Sequence, residues 1–402
     1  MNRRTFGKTA LSTLALLAIG PRMAFAGDWD AILAEAKGQT VYWHAWGGDP
    51  KINDFIAFIG AEAQARHGVT LEHVKLASTA DAVARVLAER DAGQSTGGAV
   101  DLIWINGENF AAMKAQGLLF GPFAETLPNW PLVDTVGKPA TVTDFTLPTE
   151  GFESPWAMAQ LVFEHDSATL PAPPKTLVAL QDWIKANPGR FTYPQPPDYL
   201  GVTFLKQVLH GTLADPSVLQ APLDPATYEA TVAPLWAFLD DIHPSLWRQA
   251  QVFPENEPAL GQLLADGEIG ISFAFNPGRA SAEIAAGTLP DTIRTFVLEG
   301  GTIGNASFVA IPFNAAHKEG AMVVADFLLE PETQARAQDI RRLGTANVLD
   351  TGKLSPEQRR LFEELPGHPA LPAQSELGAI HLEPHASWMT RIAAEWSRRT
   401  AR

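Results

Sequence analysis

The sequence predicts an α/β protein of two lobes, each a mostly parallel sheet flanked by helices, with two crossing segments as a hinge. Short apolar strands alternate with amphipathic helices along most of the chain, which is typical of such sheets. The 402 residues are enough for two large cores, and 46% hydrophobic with 19% charged residues is an ordinary globular composition. Two passages interrupt the alternation and divide the chain into two units.

The elements of the first unit follow from the spacing of apolar residues. Strands are predicted at 40–48, 69–77 and 100–105. Helices are predicted at 50–66, 79–93 and 107–117. The third strand runs directly into a turn, Asn106-Gly107-Glu108-Asn109, that carries two amides and a carboxylate. This order of elements favours a parallel sheet covered on both faces.

A second unit follows residues 120–155, where six prolines break the pattern and predict a crossing between lobes. The predicted strands of this unit are 157–166, 190–194 and 268–275. Its predicted helices are 176–189, 198–211, 256–267 and 279–287, with two proline-interrupted helical stretches within 224–250. Residues 301–312 are the predicted return crossing, and apolar helices follow at 320–329 and 386–399.

These elements give a division of the chain into four parts. The predicted parts are a signal peptide at 1–26, the first lobe at 27–155, the second lobe at 156–304, and 305–402. The last part contains the return crossing and C-terminal helices that are expected mainly in the first lobe. Two crossings between the lobes would allow them to move about a hinge.

The first 26 residues have the pattern of an export signal. Arg3, Arg4 and Lys8 precede a short apolar stretch, and Ala24-Phe25-Ala26 is a small-x-small cleavage site. The arginine pair with Phe6 indicates the twin-arginine route, and the general secretory route is the alternative. We therefore expect a periplasmic protein, and no later segment has the apolar length of a membrane span.

Charge and composition exclude several classes of function. A formal charge of −15 argues against a nucleic-acid partner, and the absence of cysteine excludes thiol chemistry and disulfides. Motifs of serine hydrolases, P-loop proteins, dinucleotide-binding domains and zinc proteases are absent. His381 and His385 have metal-ligand spacing, but Pro384 interrupts a helix there and favours a loop or cap role. We predict no cofactor, no metal and no enzymatic activity.

Polar and aromatic residues gather at the carboxyl ends of the predicted strands, where doubly wound sheets bind ligands. The predicted ligand contacts are Trp46, Gly47, Asp49, Ser78, Asn106, Glu108, Asn109, Ser154, Trp156, Asp198, Tyr199, Asn276 and Asn305. Two tryptophans, Trp46 and Trp156, are expected to stack on the ligand, and its charge partners are expected to be Asp49, Glu108 and Asp198. Helix capping is the alternative for the amides, acids and serines, and a core position is the alternative for the tryptophans.

Eight stretches resemble the YnjB-like family of periplasmic substrate-binding proteins of ABC importers. They are AKGQTVYWHAWGGD, DLIWINGENF, LPNW, ESPWAMAQLVF, YPQPPDYLGVTFL, FNPGRA, GNASFVAIP and EPHASWM, and they extend from about residue 36 to the C-terminus. The resemblance implies the type II periplasmic binding protein fold, capture of a small solute between the lobes, and docking on an ABC permease of the inner membrane. We expect a monomer.

For the ligand we favour a small polar or cationic organic molecule, thiamine-like or polyamine-like. Ferric-iron binders usually supply neighbouring tyrosines, and none of the four tyrosines here is adjacent to another. An alternative from another class is a periplasmic enzyme exported by the twin-arginine route with a bound cofactor.

Overall fold

A computed structural model of the protein describes residues 29–373 and 376–400, so the predicted signal peptide lies outside the described residues. The α-helices are α1 Trp29–Ala36, α2 Pro50–His67, α3 Thr79–Asp91, α4 Glu108–Ala115, α5 Leu177–Ala186, α6 Tyr199–Thr212, α7 Tyr228–Ile242, α8 Glu257–Ala265, α9 Arg279–Ala286, α10 Lys318–Leu329, α11 Pro331–Gln338, α12 Pro356–Glu363 and α13 Ala386–Thr400. The strands are β1 Thr40–Trp46, β2 Thr70–Leu76, β3 Leu102–Ile105, β4 Thr143–Asp144, β5 Leu147–Pro148, β6 Glu153–Gln160, β7 Val162–Asp166, β8 Ile271–Ala274, β9 Ile293–Phe296, β10 Thr302–Ala310 and β11 Ile380–Leu382. Within the described ranges, none of the helices has both the length and the apolar character needed to span a bilayer.

The first sheet has the strand order β11-β10-β3-β1-β2, with β6 paired to β10. Strand β1 pairs in parallel with β2 and β3, as the strand–helix alternation predicts. Strand β10 runs antiparallel to both β3 and β6. Because Trp46 is opposite Leu76 in this register, the carboxyl ends of the parallel strands meet at one edge of the sheet.

The second sheet is smaller and differs in detail from the prediction of a mostly parallel sheet. Its strands have the order β8-β7-β9, and both pairings are antiparallel. Residues 190–194, predicted as a strand, form none, although Phe191 and Tyr193 are fully buried in the second core. Prolines at 194, 196 and 197 follow this segment, and proline has no N–H to donate to a neighbouring strand.

Each lobe has its own apolar core. The first core takes residues from 36–158 and 306–354, and the second takes residues from 161–298 and 370–396. Helices α10 and α11 contribute to the first core. Helix α13 does not, because Trp388, Ile392 and Trp396 lie on one face of it and are buried in the second core. Its Trp396 indole donates to the Tyr193 hydroxyl at 2.8 Å.

The chain passes between the two larger sheets at two places, and it passes between the lobes once more before α13. Only Leu161 separates β6 of the first sheet from β7 of the second, and the return runs between Phe296 and Thr302. The predicted boundaries at 155/156 and 304/305 fall inside β6 and β10, which pair with each other in the first sheet. The proline-rich residues 120–155 stay in the first lobe, because Leu127 and Val133 are buried in its core.

Candidate functional site

The turn after β3 is held by a carboxyl group from a distant part of the chain. The Gly107 amide donates to Asp144 Oδ2 at 2.6 Å, and no side chain caps α4. Gly107 has φ 63° and ψ −131°, a conformation that favours glycine, and a Cβ atom there would lie 3.0 Å from the Phe145 ring. This turn therefore fixes Glu108 at the start of α4 beside Asp144 and Phe145.

A fully buried lysine lies opposite this turn, on α6 of the second lobe. Lys206 Nζ forms an ion pair with Glu383 Oε2 at 2.5 Å, and neither side chain is more than 1% exposed. The Tyr199 hydroxyl donates to Glu383 Oε1 at 2.7 Å, and Asn305 Nδ2 donates to the Tyr199 hydroxyl at 2.7 Å. Helix α6, strand β10 and the segment after β11 are thus joined by one network of hydrogen bonds.

Aromatic rings from both lobes enclose the lysine ammonium. Lys206 Nζ lies 4.9 Å from the centre of the Phe145 ring and 5.0 Å from the centre of the Tyr199 ring. Phe145 follows β4 in the first lobe, and Tyr199 begins α6 in the second. We name the set of Glu108, Asp144, Phe145, Tyr199, Lys206, Asn305 and Glu383 the Lys206 cluster. It lies between the lobes.

Acids outnumber cations in and next to this cluster. Burial raises the pKa of Asp144 well above its usual range, and the nearby Glu383 and Glu108 raise it further. Burial also raises the pKa of Glu108 and, well above its usual range, that of Glu153. Within the described residues, Asp144 Oδ1 and both carboxylate oxygens of Glu153 are buried without a hydrogen-bond partner. Burial of such groups is costly when they are ionised, so it favours their protonated form.

A second inter-lobe cluster surrounds Arg279 at the start of α9. Its guanidinium contacts Glu164 Oε2 at 2.8 Å and Glu257 Oε1 at 3.2 Å. Burial raises the pKa of Glu257 to about 7, and Asp49 of the first lobe and Asp198 of the second are among the acids that raise it. Two predicted charge partners therefore approach the same carboxyl group from opposite lobes.

A salt bridge also joins the lobes near this second cluster. Lys51 of α2 binds Glu283 of α9 at 3.0 Å, and both side chains are about one-quarter exposed, at 23% and 24%. Asn276, a predicted ligand contact, donates through Nδ2 to the Leu343 carbonyl at 3.4 Å, and Leu343 belongs to the first core. The lobes are in contact through polar groups that solvent can reach.

Three of the predicted contacts are helix caps. The Asp49 side chain accepts from the Lys51 amide at 2.7 Å at the start of α2, and Ser78 accepts from the Ala80 amide at 3.3 Å at the start of α3. Asp198 accepts from the amides of Leu200 and Gly201, at 3.0 and 3.1 Å, at the start of α6. The capping alternative is therefore confirmed for these residues, while their contact with a ligand stays a prediction.

Asparagine in place of Asp198 separates capping from charge. Asp198→Ala is expected to lower the free energy of unfolding by about 1 kcal/mol, because two amides of α6 lose their acceptor. Asp198→Asn should keep the stability of the parent, since asparagine caps as well as aspartate. Urea unfolding measures both. Equal losses in the two variants would show that the negative charge, not the cap, stabilises α6.

The structure places two other predicted contacts in strand β6 of the first lobe. Trp156 is 3% exposed, stacks on Phe55 at 5.9 Å and meets Trp43 and Trp104 edge-on. Trp156 is therefore a core residue, which was the alternative to ligand stacking. Its ring exposes no face on which a ligand could stack. Ser154 is 1% exposed, and its hydroxyl has no hydrogen-bond partner among the described residues.

The remaining predicted contacts lie at the edge where the parallel strands end. Trp46 is half-buried beside Gly48, and the Gly47 amide donates to the Leu76 carbonyl at 3.1 Å. Asn106 is half-buried in the turn after β3, Asn109 is half-buried in the first turn of α4, and neither caps α4. Tyr199, Glu108 and Asn305 join the Lys206 cluster, so the structure brings together residues that lie far apart in sequence.

Sequence reasoning missed the residues at the centre of the Lys206 cluster, namely Lys206, Glu383, Asp144 and Phe145. Lys206 is the one charged residue in the stretch LGVTFLKQVL, and a single lysine on an apolar helix is a usable signal of a buried ion pair. Glu383 lies between His381 and His385, where no periodic pattern predicts a buried ion pair. Asp144 and Phe145 lie in the proline-rich region, which has no periodic pattern to place them.

The histidines around Glu383 serve packing roles. His381 stacks on His210 with 4.1 Å between ring centres, and His385 Nδ1 lies 2.9 Å from Ser387 Oγ. In the ranges that the structure describes, no group of three or more His, Asp or Glu residues is arranged to hold a metal ion. The expectation that the protein needs no metal stays a prediction.

Two α/β lobes with polar groups facing across their junction define the class of two-lobed solute-binding proteins. The fold is similar to that of PotD, the spermidine/putrescine ABC transporter substrate-binding protein of Streptococcus pneumoniae, with a TM-score of 0.61, 14% identity and coverage of 90% of this chain and 98% of that chain. The periplasmic binding protein AfuA of Actinobacillus pleuropneumoniae is similar at a TM-score of 0.58, 14% identity and the same coverage. These similarities confirm the predicted binding-protein fold.

The chain belongs to the family of bacterial extracellular solute-binding proteins, whose family profile matches residues 59–350. Protein YnjB of Escherichia coli (strain K12) is 43% identical over 386 residues, which are 96% of this chain and 97% of that protein. The predicted relationship to YnjB is thus confirmed. The protein is a solute-binding component of an ABC transporter and not an enzyme, and its family implies a small ligand and an ABC permease as partners.

Proposed function

We propose that this protein is the periplasmic component of an importer that captures a small cationic organic solute between its lobes and delivers it to an inner-membrane permease. Thiamine-like and polyamine-like molecules are the two candidate classes. The observation that carries the proposal is the surplus of buried acids over buried cations in the Lys206 cluster. Glu383 pairs with the one ammonium there, Glu108 is within electrostatic reach of it, and Asp144 is within electrostatic reach of both acids.

A cation from the solute would correct this imbalance. Burial disfavours the ionised form of an unpaired carboxyl group, which raises the pKa of Asp144 and of Glu108. A cationic group placed among them would favour their ionised form through charge-assisted hydrogen bonds. Closure of the lobes removes water and strengthens these interactions, which couples solute binding to closure.

Native mass spectrometry of gently purified protein tests the proposal. We expect a co-purified small organic cation, and the solute-free protein should gain thermal stability with members of a panel of thiamine-like and polyamine-like cations. The variant Glu108→Gln should show a smaller gain, and the exposed Glu72→Gln should behave like the parent. A bound neutral or anionic solute, with no response to any cation, would refute the cationic class.

The affinity for the cationic solute is expected to rise with pH. The pKa values of Asp144 and Glu153 lie well above their usual range because of burial, so these groups keep protons where free carboxylates have lost them. A bound cation lowers these pKa values and protons are released, so affinity increases with pH until the groups ionise without the solute. Calorimetry in two buffers of different ionisation enthalpy should show proton release.

Asp144→Asn is the matched variant for this experiment, because its side-chain oxygen can still accept from the Gly107 amide. It should bind the solute more weakly above neutral pH and release fewer protons. The exposed Glu72→Gln should leave both quantities unchanged. A proton release that is identical in the parent and in Asp144→Asn would assign the linkage to other groups.

A further inference from the structure

The Lys206 ammonium occupies a place that has the chemistry of a ligand subsite. A carboxylate oxygen lies 2.5 Å away, two ring faces lie 4.9 and 5.0 Å away, and the ammonium is shielded from solvent. A carboxylate and aromatic faces are the groups that bind organic ammonium ions in proteins. The side chain that fills this place reaches it on a flexible four-carbon stem, which can leave it by rotation about its own bonds.

We propose that the space enclosed by Phe145, Tyr199 and Glu383 is an ammonium-binding subsite of the cleft, occupied by the Lys206 side chain in the solute-free protein and by a primary amine of the solute when it binds. This inference rests on the proposed function. It narrows the solute to a molecule with a primary ammonium on an unbranched carbon chain. A polyamine-like solute fits this description.

A primary ammonium fits because the subsite requires donors as well as charge. Glu383 Oε2 accepts an N–H from the ammonium, and its other oxygen already accepts the Tyr199 hydroxyl. A cation whose nitrogen is fully substituted, such as a quaternary ammonium or an N-alkylated ring, has no N–H to donate to the first oxygen, which would leave a buried carboxylate oxygen unpaired. The ring faces attract the charge but donate no hydrogen bond to the carboxylate oxygen, so they do not compensate for that loss.

Displacement of Lys206 is possible because other acids lie near it. Glu108 is within electrostatic reach of Lys206, and Asp144 adjoins Glu108 and keeps one oxygen without a hydrogen-bond partner among the described residues. A displaced ammonium would therefore exchange Glu383 for a second carboxyl group of the same cluster. The solute amine and the lysine together would bring two positive charges to the three acids, whereas the lysine alone brings one.

Occupancy of the subsite also ties the two lobes together. Phe145 belongs to the first lobe and Tyr199 to the second, so an ammonium between their rings favours the arrangement in which the lobes meet. Lys206 thus supports closure without a solute. A solute ammonium in the same position would contact the same two rings and keep the lobes closed.

Chemical rescue tests the subsite. Lys206→Ala removes three carbons and the ammonium, the atoms of n-propylammonium, whereas Lys206→Met keeps the volume and loses only the charge. In Lys206→Ala we expect n-propylammonium chloride to bind about ten-fold more tightly than in the parent and in Lys206→Met. It should also return the radius of gyration in small-angle X-ray scattering to that of the parent. If Lys206→Ala folds only with the amine present, the yield of refolding from urea gives the same readout.

Two further controls decide between the subsite and a simple structural ion pair. 1-Propanol, which has the same length without charge, should neither bind nor close the lobes. Lys51→Ala, which removes the exposed inter-lobe salt bridge, should not respond to the amine. Stabilisation by the amine without a change in the radius of gyration, an equal response to 1-propanol, or no response in Lys206→Ala would overturn the proposal. A cationic solute that co-purifies with the parent in any of these cases would leave the proposed function standing.

Discussion

Replacing Glu383 with alanine is expected to lower the free energy of unfolding by about 3–5 kcal/mol, because it leaves the fully buried Lys206 ammonium without its anion. The Tyr199 hydroxyl loses its acceptor in the same variant, which adds to the cost. Urea unfolding followed by tryptophan fluorescence measures the change.

The double variant Lys206→Met/Glu383→Leu should recover much of this loss, because two apolar side chains of similar size replace the ion pair. Glu72→Ala, at an exposed position of β2, is the surface control and is expected to change stability by no more than about 0.5 kcal/mol. A loss below about 1 kcal/mol in Glu383→Ala would mean that the pair is not buried in solution.

Replacing Trp156 with alanine is expected to lower the free energy of unfolding by about 3–5 kcal/mol, because the indole fills the centre of an aromatic group in the first core. Its ring lies 5.9 Å from Phe55, 6.5 Å from Trp43 and 5.0 Å from Trp104, so a cavity remains that these side chains can only partly fill.

Trp46→Ala is the matched comparison, since Trp46 ends β1 and is only half-buried. It should cost less stability than Trp156→Ala and should weaken solute binding, as the stacking hypothesis for Trp46 predicts. Unfolding and solute titration of both variants check this pair of expectations. A Trp156→Ala variant that loses affinity but keeps stability would return Trp156 to the ligand site.

Periodic segments allowed most of the fold to be predicted from the sequence. Helix α2 and strands β1 and β2 fall within a few residues of their predicted bounds, because their side chains repeat at 3.6 or 2 residues. The strand predicted at 190–194 is absent, because a short apolar run next to prolines is equally suited to a buried coil. The placement of α13 was missed because a helix with one apolar face carries no information about which core receives it.

The site was predictable only where local chemistry and strand ends coincide. Asp49 and Asp198 follow strand ends or loops and precede helices, so their capping geometry can be anticipated. Lys206 and Glu383 are 177 residues apart, and their pairing depends on how α6 and β11 meet in three dimensions. A single sequence has no pattern that predicts contact between residues so far apart along the chain. For Trp156 the local pattern was misleading. Its position next to a proline is typical of an exposed loop, but the first half of β6 is buried.

The first and last described helices of the chain lie in different lobes. Helix α1 packs on α10 through the first core, whereas α13 is anchored in the second. Because the chain has no cysteine, a cysteine introduced at exposed Glu35 and another at exposed Arg398 would carry the only two dye molecules. Energy transfer between these dyes would follow the separation of the lobes in real time, so the protein can be converted into a fluorescent sensor of its own solute.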